Sequence, residues 1–295
     1  MNTTQLLKKA KFALDAGIEV AYVHHIIRTR RLQPPAFVNS DAWPWPIQIF
    51  VLGRFEIQLG GQVLGFTNKA QKKPLELLKA LVAKGSGSIE QSLIAQELWP
   101  DSEGDAAESA VRMAVHRLRK LLGNDAAILV YEGKLQINSN LCWVDAWAFE
   151  NACRMLEPNA INPRQAPISP AKSLQVLRQY RGEAFVSEAV QPWMLAARDR
   201  WRSKFLRAVR VVGAAQETSA GWDKAEVVYQ SGLEADPLCE EFYQSLIGCY
   251  LKQGKTAEAY GTYRRCRDTL SITLGVKPSA KTEALRGKIA MQGAA

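Results

Sequence analysis

The sequence predicts a mixed fold, in which a small α+β domain is followed by an all-α domain built from helical hairpins. Residues typical of strands concentrate at 47–67 and again at 127–138, whereas helical spacing continues from residue 144 to the end. A self-match at a period of 34 residues in the second half indicates stacked helical hairpins. The length of 295 residues allows two domains with separate cores.

The first 46 residues are predicted to be a helical remnant and a linker. Apolar residues at helical spacing give two short amphipathic helices around Asp15-Ala16-Gly17, a pair too small to fold alone. Four prolines follow within 13 residues and favour an extended segment: Pro34, Pro35, Pro44 and Pro46. We therefore place a domain boundary between residues 46 and 47.

Residues 47–146 contain the elements of a winged helix-turn-helix. The segment IQIFVLGRFEIQLGGQVLGFT reads as antiparallel strands, with a tight turn at Gly60-Gly61. Three helices follow in KKPLELLKALVAKG, in SIEQSLIAQELWP with Ser88 as its N-cap, and in DAAESAVRMAVHRLRKLLG. A closing hairpin is expected in AILVYEGKLQIN, around Glu132-Gly133.

Residues 147–295 are predicted to form a tetratricopeptide-like helical-repeat domain. Ala225 and Tyr229 recur 34 residues later as Ala259 and Tyr263. Aromatic residues could fill the core or line a concave groove, and core filling is favoured: Trp193, Trp201, Trp222, Tyr229 and Tyr263. One long helix also carries a basic stripe that faces either solvent or an acidic partner or DNA: Arg198, Arg200, Arg202, Arg207 and Arg210.

The third helix of the middle domain is the candidate functional element. At about 100° per residue, one side collects apolar residues that form a core face: Val111, Ala114, Val115, Leu118, Leu121 and Leu122. The opposite side and its flanks collect the candidate DNA-binding residues: Ser109, Arg112, Met113, His116, Arg117, Arg119 and Lys120. Arginine can form a fork with a guanine edge or a phosphate, and a helix fits the major groove.

The alternative for this helix is an ordinary solvated face, which usually mixes charges of both signs. No acid lies between Glu108 and Asp125, and this favours DNA recognition. The net charge of +9 is a weaker argument, because residues 47–146 contain 11 basic and 11 acidic residues. Lys134 at the hairpin tip is expected near a phosphate, and Lys69, Lys72 and Lys73 are weaker candidates for backbone contacts.

These residues resemble a known family. Four segments are similar to the OmpR/PhoB-type winged helix: VLGRFEIQLGG, ELWPD, AVRMAVHRLRKLLG and VYEGKLQIN. Two further segments resemble the bacterial transcriptional activator domain, which follows such a winged helix in SARP-like regulators. They are WVDAWAFENACRML and the ending AYGTYRRCRDTLSITLGVKPSAKTEAL. The similarity covers about residues 47 to 290.

The resemblance implies a DNA-binding transcriptional activator with helix 108–122 in the major groove. Met113 and Arg117 would occupy base-reading positions, with His116, Arg119 and Lys120 at or near phosphates. It also implies tandem binding on direct repeats, and self-association or RNA polymerase contact through the helical domain. The wing differs from the OmpR class, since Gly133-Lys134-Leu135 replaces the common G-Y-R string.

The N-terminal helices and WPWP resemble the last hairpin of a sensor region in larger multidomain regulators. The chain would then be the carboxy-terminal part of such a protein, with an upstream sensor or ATPase, or a relative without its sensor. No receiver domain precedes the winged helix, so we do not expect regulation by aspartyl phosphate within this chain.

No catalytic, cofactor-binding or metal-binding residues are predicted, so we do not expect an enzyme. The five cysteines never form a C-x-x-C pair, and no apolar run approaches the length of a membrane span. We expect a cytoplasmic protein whose main partner is double-stranded DNA. The alternative function is a helical-repeat interaction scaffold without direct DNA readout.

Overall fold

The computed structural model describes residues 3–30, 32–34, 41–65, 72–102, 104–156, 169–186 and 191–293. The chain divides into two compact units. The winged-helix unit comprises Met1–Asn151 with Arg181–Asp199, and the helical unit comprises Ala152–Tyr180 with Arg200–Ala295. The predicted domain boundaries at residues 46/47 and 146/147 stay predictions.

Two short helices open the winged-helix unit where the apolar spacing predicts them, α1 (Thr3–Asp15) and α2 (Val20–Thr29). Their inward faces share one apolar core with Trp43, Trp45 and Trp143. The two tryptophans of the proline-rich segment are therefore buried, and this segment anchors the helices by apolar packing. The expected linker residues 35–40 lie outside the described part of the chain.

A four-stranded sheet follows, with strand order β3-β2-β1-β7. It contains β1 (Ile47–Phe50), β2 (Glu56–Leu59), β3 (Gln62–Val63) and β7 (Cys142–Val144). β1 pairs antiparallel with β2 and parallel with β7. Gly60 and Gly61 both have positive φ, 58° and 92°, so the predicted turn between β2 and β3 is confirmed.

The three predicted helices of this unit are present as α3 (Lys72–Lys84), α4 (Gln91–Leu98) and α5 (Gly104–Leu122). The expectation that Ser88 caps the second helix is wrong. α4 begins only at Gln91, because Ile89–Glu90 forms a short strand, β4, opposite Leu135 and Lys134. Periodicity alone could not show this pairing, since the partner strand lies more than 40 residues further along the chain.

The closing hairpin is confirmed as β5 (Ile128–Tyr131) and β6 (Lys134–Ile137). With β4 it forms a three-stranded sheet in the order β4-β6-β5. Glu132 and Gly133 turn the chain with φ of 47° and 71°. Together, the two sheets and three helices form a winged helix-turn-helix, as the sequence predicts.

A buried carboxylate fixes the start of α6 (Asp145–Leu156) to the end of β1. The Asp145 side chain accepts hydrogen bonds from the backbone N–H groups of Val51 at 2.9 Å and Leu52 at 3.1 Å. Burial raises the pKa of the Asp145 carboxyl to about 6, while these donors and the charge of Arg181 oppose that rise.

Residues 181–186 return to the winged-helix unit and are held there by backbone contacts. Ala184 forms a bridge with Leu52, and the carbonyls of Ala184 and Phe185 accept hydrogen bonds from Arg198 at 2.8 and 2.7 Å. The carbonyl of Arg181 leaves no room for a Cβ at Gly53. This return of the chain could not be predicted from the sequence.

The second half is helical as predicted. Its helices after α6 are α7 (Pro170–Leu177), α8 (Pro192–Thr218), α9 (Trp222–Ala235), α10 (Glu240–Lys252), α11 (Thr256–Leu274) and α12 (Ala280–Gly293). α10 packs against α9, α11 and α12. The predicted order of an α+β winged helix followed by an all-α tetratricopeptide-like domain is confirmed.

The repeat positions are buried within the helical unit. Ala225, Tyr229, Ala259 and Tyr263 are each less than 5% exposed. The ring of Tyr229 lies against Gly213, where it leaves no space for a Cβ. Small and aromatic residues at these positions therefore let paired helices approach closely, which is the physical meaning of the 34-residue period.

Four of the five singled-out aromatic residues are core residues: Trp193, Trp201, Tyr229 and Tyr263. Trp222 is half-buried.

Two arginines of the predicted basic stripe of α8 pair with acids of the helical unit. Arg202 lies 3.1 Å from Asp236, and Arg210 lies 2.6 Å from Glu241. Because Arg198 is directed to the two carbonyls described above, the stripe is not a continuous cationic surface.

Candidate functional site

The candidate site is the outer face of α5. The packing of the inner face of α5 holds the helix, and therefore the site, in place. Six residues of α5 are buried against the rest of the winged-helix unit, where the helix packs on α3 and α4: Ala107, Val111, Ala114, Val115, Leu118 and Leu122. Burial of this apolar stripe fixes the rotation of the helix about its axis. The residues on the other side are thereby directed outwards.

Six of the seven predicted DNA-binding residues of α5 are exposed: Ser109, Arg112, Met113, His116, Arg117 and Lys120. Met113, an apolar residue, is 53% exposed. Within the described residues, His116, Arg117 and Lys120 form no ion pair or side-chain hydrogen bond. Their donors are thus available to an external anion or base edge.

Arg119 differs from the other six residues. It is half-buried, and its Nε and Nη2 donate to the backbone carbonyl of Ile128 at 3.1 and 2.7 Å. The guanidinium therefore ties the last turns of α5 to the start of β5. A phosphate contact by Arg119 stays a prediction.

The face of α5 also contains one acid that the sequence analysis did not include among the site residues. Glu108 Oε2 lies 3.3 Å from Arg112 Nη1, and both side chains are 62% exposed. The spacing of four residues, with the acid first, is the signal that could have predicted this pair. The face is consequently cationic but contains one internal counter-ion.

The wing is anchored to the start of α4. The backbone N–H of Gln91 donates to the carbonyl of Gly133 at 2.9 Å, close to the hairpin turn. Lys134 Nζ lies 3.4 Å from Glu90 Oε1 across the two strands. Lys134 is therefore near the tip as predicted, although an acid shares its charge.

The three weaker lysine candidates have different outcomes. Lys69 lies outside the described residues. Lys72 is exposed and lies 3.9 Å from Glu76. Lys73 donates to the carbonyl of Leu98 at 2.9 Å and lies 2.9 Å from Glu76, so it joins α3 to the end of α4. A backbone contact by any of them stays a prediction.

The described residues contain no group of three or more His, Cys, Asp or Glu side chains arranged to hold a metal ion. Among the same residues, no helix combines the length and the apolar character needed to cross a bilayer.

Comparison with known proteins gives one family match. Residues 144–290 match the family described as bacterial transcriptional activator domain.

The chain is also 24% identical over 232 residues to the transcriptional regulatory protein EmbR of Mycobacterium tuberculosis and to that of Mycobacterium bovis. These alignments cover 75% of this chain and 58% of each relative, so the chain matches little more than half of their length.

A solved structure is similar in fold. This chain superposes with a TM-score of 0.64 and 19% sequence identity on Mycobacterium tuberculosis EmbR, solved in complex with a low-affinity phosphopeptide. The superposition covers 84% of this chain and 66% of that chain. It therefore includes both a winged-helix part and a helical part of the present fold.

Proposed function

We propose that this protein is a sequence-specific DNA-binding transcriptional regulator that activates transcription, and the match of residues 144–290 to the family described as bacterial transcriptional activator domain supports this proposal. The observation that carries the proposal is the exposed cationic face of α5 on a winged-helix scaffold. The two curated relatives are named transcriptional regulatory proteins.

In the proposed mechanism, residues 108–122 of α5 enter the major groove. Arg117 forms a fork with a guanine edge, and the exposed Met113 contacts an apolar base edge such as a thymine methyl group. His116 and Lys120 contact phosphates and fix the register of the helix on the duplex. The bonds from Arg119 to Ile128 support this geometry from behind.

The wing supplies a second contact in this mechanism. Lys134 leaves Glu90 and approaches a phosphate of the neighbouring minor groove, where the field of the duplex is stronger than that of one exposed carboxylate. The helical domain holds a second protomer or RNA polymerase nearby. A sensor or ATPase region upstream is the further partner that we propose if the chain is part of a longer protein.

Selection of DNA from a random pool tests the proposal, because no operator needs to be known. The wild-type protein should enrich one motif. On that motif, Arg117→Ala should lose about 1–3 kcal/mol of preference at one base pair, measured by fluorescence anisotropy. Lys120→Ala should weaken all sequences alike and reduce the slope of log affinity against log salt by about 1.

The two variants serve as controls for each other, since both remove a cation from the same face of α5. Circular dichroism should show unchanged helix content in both. If the wild-type protein enriches no motif, and neither variant alters the salt dependence, the scaffold function without DNA readout replaces the proposal.

A further inference from the structure

The pair formed by Glu108 and Arg112 has an unusual position on the candidate surface. It lies in the N-terminal half of α5, on the exposed side that also carries Met113 and Arg117, the two residues proposed above to contact bases. Residues near the start of a recognition helix also contact base edges in helix-turn-helix proteins. From residue 106 to the end of α5, Glu108 is the single acid. A carboxylate here faces the phosphates of a bound duplex and opposes binding.

From this geometry, and on the basis of the proposed function, we infer that Glu108 is a positioning residue that determines specificity through Arg112. Glu108 Oε2 accepts from one nitrogen of the guanidinium, Nη1, at 3.3 Å. The edge formed by Nε and Nη2 remains available, and that edge can form two hydrogen bonds with guanine O6 and N7. Glu108 thus orients the Nε and Nη2 edge of the Arg112 guanidinium towards the bases.

The energetic argument depends on the freedom of an exposed arginine. An unrestrained guanidinium loses rotamer entropy when it binds a base, and it can instead turn towards a phosphate of any sequence. Glu108 restricts Arg112 before binding, and it makes the phosphate-facing orientations less favourable. The pair should therefore lower affinity for non-specific DNA while raising the preference for one guanine.

Weaker non-specific binding together with a stronger preference for one guanine would not be expected of an ordinary surface ion pair. A solvent-exposed pair at this spacing affects only helix stability, and weakly. Such a pair would not alter the selected DNA motif.

The experiment repeats the selection from a random pool with the full chain, four single variants and one double variant. Arg112→Ala identifies the base pair that Arg112 reads. Glu108→Ala should reduce the preference at that same base pair by about tenfold and should strengthen binding to a scrambled duplex severalfold. Glu108→Gln, which keeps an acceptor oxygen for Arg112, should retain most of the preference.

Asp105→Ala is the charge-matched control, since Asp105 is another exposed acid in the first turn of α5. It should strengthen binding to the scrambled duplex as Glu108→Ala does, but it should leave the selected motif unchanged. In the Arg112→Ala background, Glu108→Ala should cause no further loss of preference, because Glu108 acts through Arg112.

The inference is overturned if Glu108→Ala selects the wild-type motif, or if it loses preference at a base pair other than that of Arg112. Absence of any motif with the wild-type protein is a different result. It would remove the proposed DNA readout itself, and the role of Glu108 with it.

Discussion

Among single residues, two glycines of the helical unit show how closely its helices pack. A Cβ on Gly232 would lie 2.7 Å from Phe242 Cε2 and 2.9 Å from Val209 Cγ1, whereas a Cβ on Gly248 would meet no atom within 4 Å. Both glycines are inside helices, α9 and α10. The packing around the two glycines distinguishes them.

Gly232→Ala should therefore destabilise the protein by about 1–3 kcal/mol, because the added methyl group overpacks the contact between helices. Gly248→Ala should be neutral or stabilising by up to about 1 kcal/mol, because alanine favours the helix. Urea denaturation followed by circular dichroism measures both. Equal effects of the two substitutions would contradict the described packing of α9 and α10.

The buried carboxyl of Asp145 makes the stability of the protein depend on pH. The pKa of Asp145 in the folded protein, about 6, lies above the ordinary value of 3.8. The folded state thus binds this proton more tightly than the unfolded state. The contribution of Asp145 to the free energy of unfolding is complete below pH 3.8 and is lost as pH rises through about 6.

The side chain of Asp145→Asn does not titrate. The stability of this variant relative to wild type should therefore increase as the pH rises. We expect the wild-type protein to lose stability relative to Asp145→Asn as the pH is raised from about 4.5 to 7.5. Urea denaturation of both proteins across this range provides the measurement. A relative gain in wild-type stability with rising pH would show that the pKa is lowered instead.

On the scale of elements, α5 could be predicted well and its surroundings less well. The core face and the exposed face follow from periodicity, because each residue turns the helix by a fixed angle. The bond from Arg119 to Ile128 could not be predicted, since it depends on where β5 begins. Glu108 could have been noticed from its spacing to Arg112, whereas β4 depends on pairing with a distant strand.

Arg119 and Arg117 should consequently differ in their effects on stability. Arg119→Gln removes two hydrogen bonds to a partly buried carbonyl and should lower the free energy of unfolding by about 1–2 kcal/mol. Arg117→Gln changes an exposed side chain and should leave stability within about 0.5 kcal/mol of wild type. Thermal denaturation distinguishes them, and equal losses would contradict the different placement of the two arginines.

For the whole molecule, the order of the domains could be predicted from the sequence, whereas the net charge did not help to locate the candidate site. The order of a winged helix and a helical-repeat domain could be predicted from strand composition, helix periodicity and the 34-residue repeat. The return of residues 181–199 to the winged-helix unit could not, because backbone contacts such as Leu52 with Ala184 have no sequence signature. Net charge was uninformative, since residues 47–146 are formally neutral.

If residues 47–146, which are formally neutral, bind DNA as proposed, they should depend on two half-sites to bind tightly. If two protomers bind direct repeats, scrambling one half-site of the selected DNA should reduce affinity by about 10²–10⁴-fold, since the second contact is then lost from an effectively intramolecular complex. Anisotropy titrations on the full and half sites measure this. Equal affinity for the two duplexes would show that a single protomer suffices.

We propose that the outer face of α5 reads bases in the major groove, and methylation interference gives a direct test of this readout. Methylation of guanine N7 modifies the major groove alone. We predict that it blocks binding of the wild-type protein at several guanines of the selected site, and that Arg117→Ala becomes insensitive at one of them. An identical interference pattern for wild type and Arg117→Ala, or interference confined to adenine N3 in the minor groove, would contradict the claim.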